Sequence, residues 1–578
     1  LFGCGNTPEI TNETSIAPEA APTEEIPRAG NGDTLNLLLW QAPTILNPHL
    51  ATGTKDIEAG RIVYEPLATY NAQGELIPFL ATEIPAPAPD GLSVTWQLKQ
   101  GVQWADGEPF TADDVLFTYE YVTNPDVNSA SANVYTGIES VEVIDDHTVK
   151  INFPEVNPAW SIPFVGVRGV ILPRHIFADY NGTNAREAPA NTLPIGTGPY
   201  QVLEPGIEPQ EILFLGTELV QTNKIAFEAN PVYREDPNQL FSQIVLRGGG
   251  TVDEAARLVF QTKDVDYATQ LQVTGEQLAI LEVNATGQLV SNFGRLVERI
   301  ILNRSNPHQA AAGGELSNKD IPHPFFTDLK VRQAFSLAIN RDAIVEGYGP
   351  IGRPTTNLLV SPANFASPNT TREFDLTKAA SLLDEAGWVD NDGDCIRDKD
   401  GVKMEVVFQT SSNTIRQNNQ RIVKDALESI GVKVDIKILP ASSFFSGDPT
   451  NPDTLERFEA DIEEYRTGNR SPDPGAYMKF WTCDQIPQQA NNWSGQNVAR
   501  WCNPEYDALY QQSTIELDPV KRQELFIQMN DLVVNDIVII PLVHQANVSG
   551  ASKTIEGIDL SPWDGEFWNI KDWRRVSP

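Results

Sequence analysis

The second half of the chain alternates between helical and extended hydrophobic patterns, and this alternation restricts the fold more than any other feature. Residues 415–430 carry apolar side chains at helical spacing, and Gly431 ends that run. Residues 432–438 then change to a period of two, which predicts a strand. A helix that leads directly into a strand is typical of α/β sheets. The same reasoning predicts helices over 328–340, 375–386 and 519–535, and a final apolar strand over 537–543.

The first half of the chain contributes mainly strand patterns. Residues 35–40 are rich enough in apolar side chains to predict a buried strand. Thr111 and Asp114 form a capping-box sequence, which predicts a helix that runs through Tyr121. Alternating patterns predict further strands at residues 94–98, 141–143 and 149–153, the last two joined by a hairpin at Asp145-Asp146. The chain as a whole is therefore predicted to be an α/β protein.

Charge and hydropathy exclude several classes of protein. The formal net charge of the 578-residue chain is -36, and a surface this acidic repels phosphates and anionic lipid headgroups. We therefore expect no nucleic-acid partner. No apolar run is long enough to cross a bilayer, because the longest candidate, residues 532–543, is interrupted by Asn535, Asp536 and Pro541. Membrane attachment is expected only through a lipid or through partner proteins.

The amino terminus offers such a lipid. Leu1-Phe2-Gly3-Cys4 precedes a polar tract of Pro, Glu, Thr and Ala that reaches residue 33. This arrangement resembles the acylation site of a bacterial lipoprotein, with residues 1–33 as a lipoprotein start and a disordered linker. It implies that Cys4 is lipidated and that the protein lies outside the cytoplasmic membrane, at the cell surface or in the periplasm, after export on a signal sequence. The alternative is a disordered terminus with an incidental cysteine.

The other cysteines fit an oxidising location. Cys483 and Cys502 flank one polar loop, where a disulfide would form outside the cytoplasm. Two separate buried thiols are the alternative. Cys395 is left without a partner, and the chain has no CxxC motif of a zinc ribbon or a redox protein.

Seven short blocks, in a specific order, carry a resemblance to a known family. The chain resembles the solute-binding lipoproteins of ABC importers, within the family of peptide- and nickel-binding proteins. The matching blocks are residues 61–67, 101–115, 196–200, 331–341, 382–388, 503–507 and 540–542.

The resemblance implies a two-lobed periplasmic-binding-protein fold of type II, cluster C, with an extra small domain on the first lobe. Lobe I would comprise residues 34–69, 195–298 and 542–578, the extra domain 70–194, and lobe II 299–541. Residues 301–303 and 539–541 would form the hinge about which the lobes close on a solute.

The function implied is that of an extracytoplasmic binding component of an ABC transporter. Such a protein captures a small solute, an oligopeptide by default, and delivers it to the permease and its ATPase subunits. We expect a monomer without catalytic residues. The alternatives are a binding protein for an oligosaccharide or a carboxylate, a solute sensor, and a secreted glycoside hydrolase. A glycoside hydrolase needs paired carboxylates, and the 78 acidic residues of the chain could supply them. The zinc-protease motif HExxH and the nucleophile elbow GxSxG are both missing from the sequence.

One segment of the resemblance bears on the ligand. Peptide-binding relatives commonly read Gly-Trp-Gly-Ala-Asp-Tyr-x-Asp-Pro, and the first Asp accepts hydrogen bonds from the α-ammonium group of the peptide. Aligning Asp473-Pro474 with the final pair places Arg470 at the position of that acid. An arginine accepts no hydrogen bond and has the opposite charge. We therefore hypothesise that Arg470 faces the cleft and that no α-ammonium group binds there.

Three alternatives remain open for this segment. The ligand is not a standard peptide, or a shifted peptide places its ammonium group against Glu298 or Glu65, or Arg470 merely pairs with an acid such as Glu463 or Glu464.

Further ligand contacts are predicted from positions after strands and near the hinge. Aromatic rings can stack on sugars or side chains, and amides can satisfy peptide groups, although burial in the core is the alternative for each aromatic residue. With Arg470, the predicted ligand residues are Trp40, Gln41, Thr44, Tyr64, Glu65, Asn303, Tyr465, Asn469 and Trp493.

An acidic loop offers a possible metal site, and no other cofactor is expected. Asp390, Asp392, Asp394 and Asp398 stand at alternate positions, so their oxygens could converge on a Ca²⁺ ion. The alternative is an acidic turn, because Cys395 and Gly401 stand where an EF-hand would require Gly and Glu.

Overall fold

A computed structural model describes residues 29–215, 218–446, 448 and 450–576. The predicted lipidation site at Cys4 and most of the linker lie outside these ranges, so both stay predictions.

The five predicted helices are all present among the helices of the described residues. None of the helices in the described residues is long and apolar enough to cross a membrane. They are α1 (Thr54–Arg61), α2 (Ala112–Thr123), α3 (Arg174–Phe177), α4 (Val252–Gln261), α5 (Gly275–Leu281), α6 (Leu329–Ala338), α7 (Arg341–Glu346), α8 (Leu376–Glu385), α9 (Thr414–Glu428), α10 (Ala441–Phe444), α11 (Gly475–Met478), α12 (Pro504–Ser513) and α13 (Pro519–Asn535).

The strands include the four predicted in the first half and the two predicted in the second. They are β1 (Thr34–Leu39), β2 (Ala68–Tyr70), β3 (Leu76–Pro78), β4 (Ser93–Gln97), β5 (Ser140–Asp145), β6 (Thr148–Asn152), β7 (Tyr200–Val202), β8 (Glu208–Leu215), β9 (Glu218–Ala229), β10 (Gln243–Gly248), β11 (Tyr267–Ala268), β12 (Gly287–Leu302), β13 (Gly352–Pro354), β14 (Asp398–Lys399), β15 (Val402–Lys403), β16 (Glu405–Ser411), β17 (Lys433–Leu439), β18 (Ile462–Thr467), β19 (Ile539–Ser552), β20 (Ile555–Glu556) and β21 (Arg574–Arg575).

Local chemistry explains where the predicted helices begin and end. The capping box of Thr111 and Asp114 is present at the start of α2. The side chain of Asn413 accepts a hydrogen bond from the amide of Arg416 and so caps α9. Gly431, which follows α9, has a φ of 87°, a left-handed conformation that favours glycine. This turn reverses the chain from α9 into β17.

Within the described residues, twelve strands form one mixed sheet. The order is β17-β16-β18-β12-β19-β11-β1-β10-β9-β7, with β13 paired to β19 and β8 paired to β9. β1 runs parallel to β10 and β11, and β16 runs parallel to β17 and β18. The sheet therefore has one parallel group on each side of the central pair β12 and β19.

This central pair is unusually long and joins the two groups. One end of the β12–β19 ladder lies beside β11, and the other end lies beside β18. Their antiparallel register is interrupted between Asn292 and Leu296 and again between Glu298 and Arg299. The second interruption falls at the predicted boundary between residues 298 and 299. The full set of domain boundaries stays a prediction.

Strand β19 is longer than the sequence pattern predicted. The apolar pattern predicted a strand that ends at Val543, whereas β19 continues to Ser552. Its second part contains the polar residues His544, Gln545 and Asn547, which are half-buried. A strand that is polar on one face gives a weaker hydrophobic signal than a fully buried strand.

Residues 70–194 pack around a hydrophobic core that lies beside the large sheet. The three-stranded sheet β4-β6-β5 and helix α2 enclose the buried rings of Trp96, Trp104 and Tyr121. This region also touches the other side of the molecule. A methyl group added at Gly74 would lie 2.7 Å from Pro362 Cγ, and one at Gly91 would lie 3.0 Å from Leu517.

A disulfide joins Cys483 to Cys502, with their Cα atoms 4.7 Å apart. Cys395 is a free, exposed thiol.

We expect the variant Cys483→Ala/Cys502→Ala to lose about 3 kcal/mol of unfolding free energy, because the bond closes a loop of 19 residues in the unfolded chain. Urea denaturation followed by the intrinsic tryptophan fluorescence of the protein measures this loss. Cys395→Ala is the matched control and should unfold like the native protein. Equal midpoints for all three proteins would contradict the assignment of a stabilising disulfide.

Candidate functional site

A cavity of about 830 Å³ lies between the two sides of the large sheet. Its floor is formed by the central pair of strands, through Asn292, Arg295 and Glu298 of β12 and residues 545–548 of β19. The floor includes the point at which the β12–β19 register is interrupted. The cavity therefore straddles the connection between the two parallel groups of strands.

The two walls come from opposite sides of this floor. We call the first wall the lining residues of α1, of the segment 270–277 and of the segment 560–566. The second wall comprises the lining residues of segments 348–351, 411–416 and 441–445, together with Arg466. Segment 270–277 follows the carboxyl end of β11, and segment 411–416 follows that of β16. Ligands of α/β proteins commonly bind at such strand ends.

One buried ion pair of the second wall is neutral overall. Arg416 Nε donates to Glu298 Oε1 at 2.8 Å, and its guanidinium group also donates to Ser411 Oγ. Behind them, burial and then the charge of Glu298 raise the pKa of Glu464. Glu464 accepts a hydrogen bond from Asn419 at 2.6 Å. The charges of Arg416 and Glu298 balance each other, and the raised pKa of Glu464 means that its carboxyl group keeps its proton to a higher pH than in the unfolded chain.

Two further arginines of the cavity form no ion pair within the described residues, although Glu298 stands opposite Arg466 in the register of β12 and β18 and acts to raise its pKa. Arg466 donates to Gln545 Oε1 at 2.7 Å. Arg295 is half-buried, and no ion pair or hydrogen bond of its guanidinium group occurs in the described part of the chain. Burial, and then the positive charges of Arg470 and Arg466, lower the pKa of Arg295. These groups give the second wall and the adjoining floor an excess of positive charge.

The first wall carries the opposite excess. Glu58 is buried and accepts a hydrogen bond from the amide of Glu566 at 2.6 Å. Glu566 accepts hydrogen bonds from Tyr267 Oη at 2.5 Å and from Ser549 Oγ at 2.6 Å. Neither carboxyl group has a cationic partner among the residues that the structure describes. Burial, and then the charge of Glu566, raise the pKa of Glu58, and burial raises the pKa of Glu566.

A third acid of the first wall is neutralised. Asp564 lies 3.1 Å from Arg61 Nε, and the side chain of Asp564 is fully buried. It also accepts a hydrogen bond from Thr69. Asp564 is therefore compensated by Arg61, whereas within the described residues Glu58 and Glu566 have no cation to compensate them when they ionise.

The remaining surface of the cavity is rich in amides. These side chains both donate and accept hydrogen bonds, as peptide groups do. They are Gln270, Gln272, Gln277, Asn292, Asn413, Gln545 and Asn547. The cavity can hold a polar, elongated molecule with charged ends.

None of the ten predicted ligand residues lines the cavity that the described residues form. Several lie in the interior instead. Tyr64 is completely buried, and Glu65 forms a two-pronged ion pair with Arg234. The amide of Asn303 donates to the carbonyls of Phe458 and Ala460. Such internal bonds hold adjacent segments together.

Three predicted residues of lobe II are also buried. Tyr465 lies under the guanidinium group of Arg299, 5.8 Å from its ring centre. Asn469 donates to the carbonyls of Ser361 and Ser471, both at 2.9 Å. The ring of Trp493 packs against Arg457. Tyr465 and Trp493 are therefore both buried in the core, which was the alternative left open by the sequence.

The residues after β1 lie nearer the surface. Trp40 is half-buried against the core, and Gln41 is exposed. The amide and the hydroxyl group of Thr44 both donate to Asp56 of α1. These internal bonds hold the loop after β1 against α1, and Thr44 is not among the residues that line the cavity. A ligand role for these three residues stays a prediction.

Arg470 is exposed and close to other cations. Its charge lowers the pKa of Arg295 and of Arg168, in each case after burial as the larger cause. The predicted alternative in which Arg470 pairs with Glu463 or Glu464 is wrong, because both acids are buried and bond to Gln409 and Asn419. Arg470 does not line the cavity, but its charge reaches Arg295 on the cavity floor, and a ligand role for Arg470 stays a prediction.

The acidic loop brings three of its four predicted ligands together. Carboxylate oxygens of Asp390, Asp392 and Asp398 lie within 4.8 Å of one another. Asp394 instead pairs with Lys403, which also lies 3.0 Å from Asp392. Lys403 supplies part of the positive charge that a cation would supply. A Ca²⁺ ion in this loop stays a prediction.

Of the charged residues that line this cavity, Glu298 alone was named from the sequence as a possible ligand contact. Glu58, Arg295, Arg466 and Glu566 come from distant parts of the chain, and each is embedded in an apolar or mixed segment. A useful signal was present in Ser411-Ser412-Asn413, a polar run between the end of β16 and the start of α9.

The unpaired carboxyl groups make a prediction about pH and stability. Because the pKa of Glu58 is raised in the folded state, the folded protein binds more protons than the unfolded chain, and stability falls as pH rises above about 4.5. We expect Glu58→Gln to raise the melting temperature of the ligand-free protein by roughly 1–3 °C at pH 7.5 and by nothing at pH 4. Calorimetry at both pH values measures this.

The exposed Glu428→Gln on α9 is the control and should change neither melting temperature. A Glu58→Gln variant that is less stable than the native protein at pH 7.5 would contradict the unpaired state of this carboxyl group.

Known proteins match this chain over most of its length. Residues 75–488 match the model of the family described as bacterial extracellular solute-binding proteins, family 5 middle. AppA of Bacillus subtilis, an oligopeptide-binding protein, is 25% identical over 546 residues, which cover 92% of this chain and 89% of AppA.

Solved structures share the fold. AppA in complex with a nonapeptide superposes with a TM-score of 0.66 at 22% identity, covering 95% of this chain and 100% of AppA. NikZ of Campylobacter jejuni in complex with Ni(L-His) gives 0.68 at 22% identity, with 94% and 100% coverage. The ABC transporter substrate-binding protein CtaP of Listeria monocytogenes gives 0.73 at 21%, with 95% and 100% coverage. The fold is therefore the mixed α/β periplasmic-binding-protein fold of cluster C, as predicted, and the chain belongs to family 5 of the bacterial extracellular solute-binding proteins, the non-enzymatic substrate-binding components of ABC transporters.

Proposed function

We propose that this protein captures an oligopeptide or a peptide-like solute in the cavity between its two sides and delivers it to an ABC permease. The observation that carries the proposal is the position of the cavity on the β12–β19 floor, with one wall from each side. Its volume of about 830 Å³ falls within the range of small-molecule sites. The amides and charged groups that line it match the groups of a peptide.

The capture step follows from this geometry. The two sides of the molecule would rotate about β12 and β19, where the ladder is already interrupted. Gly74 already lies against Pro362, and Gly91 against Leu517, across the outer edge of this structure, and these contacts would break when the two sides open. Closure removes water from the solute, which strengthens each polar contact. Lobe I (34–69, 195–298, 542–578) with its extra domain (70–194) and lobe II (299–541) are the proposed moving parts.

A metal complex is the second candidate, since NikZ is solved with Ni(L-His). Among the described residues that line the cavity there is no His or Cys, the ligands that nickel and zinc favour. A metal complex would therefore be held through its organic part. An oligosaccharide has less support, because sugar rings stack on aromatic side chains. Among the described residues, the cavity lining offers two of these, Tyr348 and Phe445.

The partners follow from the proposed role. The closed protein would dock as a monomer on a permease that is coupled to ATPase subunits. Lipidation of Cys4 would keep it at the outer face of the cytoplasmic membrane, and the linker would give it reach.

We expect a defined library of free oligopeptides to raise the melting temperature, since a ligand at one hundred times its Kd adds about 2.7 kcal/mol of stability. Mass spectrometry of the recovered ligand should show each bound peptide intact. Ser412→Trp, which fills the cavity at the second wall, should abolish the shift.

Ser381→Trp on the exposed face of α8 is the matched control and should bind like the native protein. The proposal fails if no peptide stabilises the protein, or if the Ser412→Trp variant binds with unchanged affinity.

A further inference from the structure

We infer that the cavity selects a zwitterionic solute in one orientation, with its cationic group against Glu58 and Glu566 and its anionic group against Arg295 and Arg466. This inference rests on the proposed function and specifies its ligand. The juxtaposition that carries it is an acidic pair on the first wall opposite a basic pair on the floor and second wall, and none of these four groups forms an ion pair with another described residue.

The acidic pole is built, because its carboxyl groups are fixed by neutral donors. The amide of Glu566 holds Glu58, while Tyr267 and Ser549 hold Glu566. The neighbouring Asp564 shows the contrast, since Arg61 already compensates it. Two adjacent buried carboxyl groups without a cation repel each other, and an ammonium or guanidinium group between them would remove that cost.

The basic pole keeps an excess of positive charge, because Glu298, the acid opposite Arg466, already pairs with Arg416. The chain contains 78 acidic and 42 basic residues, so a surface arginine has an abundant choice of partners. Arg295 nevertheless has none in the described ranges, and Arg466 bonds only to the amide of Gln545 there. The amino terminus of α9, a helix of 15 residues capped by Asn413, faces the same part of the cavity and adds to its positive potential.

The two poles lie on different sides of the hinge strands. Glu58 belongs to α1 and Glu566 to the carboxyl-terminal segment, whereas Arg466 belongs to β18. A solute with one charge would satisfy one pole and leave the other desolvated on closure, which costs free energy. A solute with a cationic and an anionic end satisfies both. Because closure lowers the local dielectric constant, both contacts are strongest in the closed state.

Affinity measurements with capped peptides test the inference. The probes are free tetrapeptides and the same sequences with an acetylated amino terminus or an amidated carboxyl terminus. We expect each cap to weaken binding to the native protein by at least roughly tenfold, as the loss of one buried charged contact implies.

Two sets of variants then assign the ends. In Glu58→Gln and Glu566→Gln, acetylation should cost little further affinity, while amidation keeps its effect. In Arg295→Met and Arg466→Met, amidation should cost little further affinity, while acetylation keeps its effect. Arg421→Met and Glu428→Gln on the outer face of α9 are matched controls, and both caps should act on them as on the native protein. Each single variant is tested separately, and its melting curve without peptide reports whether it folds.

The outcomes separate the two claims. If no free or capped peptide binds the native protein, the peptide assignment and the inference both fail. If capped and free peptides bind equally well, the proposed function stands and the zwitterion selectivity is overturned. If acetylation matters to the glutamate variants and amidation does not, the orientation is reversed and the inference is overturned as well.

Discussion

The antiparallel pairing of β12 with β19 is the constraint on which the rest of the structure depends. These two strands belong to both sides of the sheet, since β11 flanks one end of the ladder and β18 flanks the other. Their hydrogen bonds fix the axis along which the sides can move, and the interruptions near Leu296 and Arg299 mark where the ladder is weakest. The cavity floor lies on this same stretch. In the proposed capture step, movement of the sides and access of a solute would therefore be one event.

The charge distribution gives that movement a direction. Charges without partners reduce stability once water is removed from them, and the cavity holds such groups on the first wall, on the floor and at Arg466 of the second wall. Glu58 and Glu566 repel each other, while Arg295 adjoins Arg466 and Arg470. In a ligand-free protein, water in an open cleft solvates these groups at little cost. Closure without a solute would remove that water, so the closed state is favoured when a complementary ligand replaces it. The groups that recognise the solute thus also discourage empty closure, a compromise between stability and function.

The sequence predicted the local elements well, because helical and strand periodicity are recorded in neighbouring residues. α9, Gly431 and β17 are the clearest example. The fold followed from the order of short motifs. The site did not follow, because its residues are contributed by α1, β12, β18, β19 and the carboxyl-terminal segment, which only the assembled sheet brings together. Position after a strand was a poor guide where a side chain had an internal partner, as Thr44 has in Asp56.

The distance between the two sides, with and without a solute, tests the central claim most directly. Spin labels at Glu155→Cys and Ile515→Cys, in a background that lacks Cys4 and Cys395, flank the contact of Gly91 with Val156 and Leu517. Pulsed electron resonance should give one narrow, short distance when a tightly bound peptide is present. Without peptide, the distribution should be broader and longer. Identical distributions in the two states would contradict capture by closure about β12 and β19.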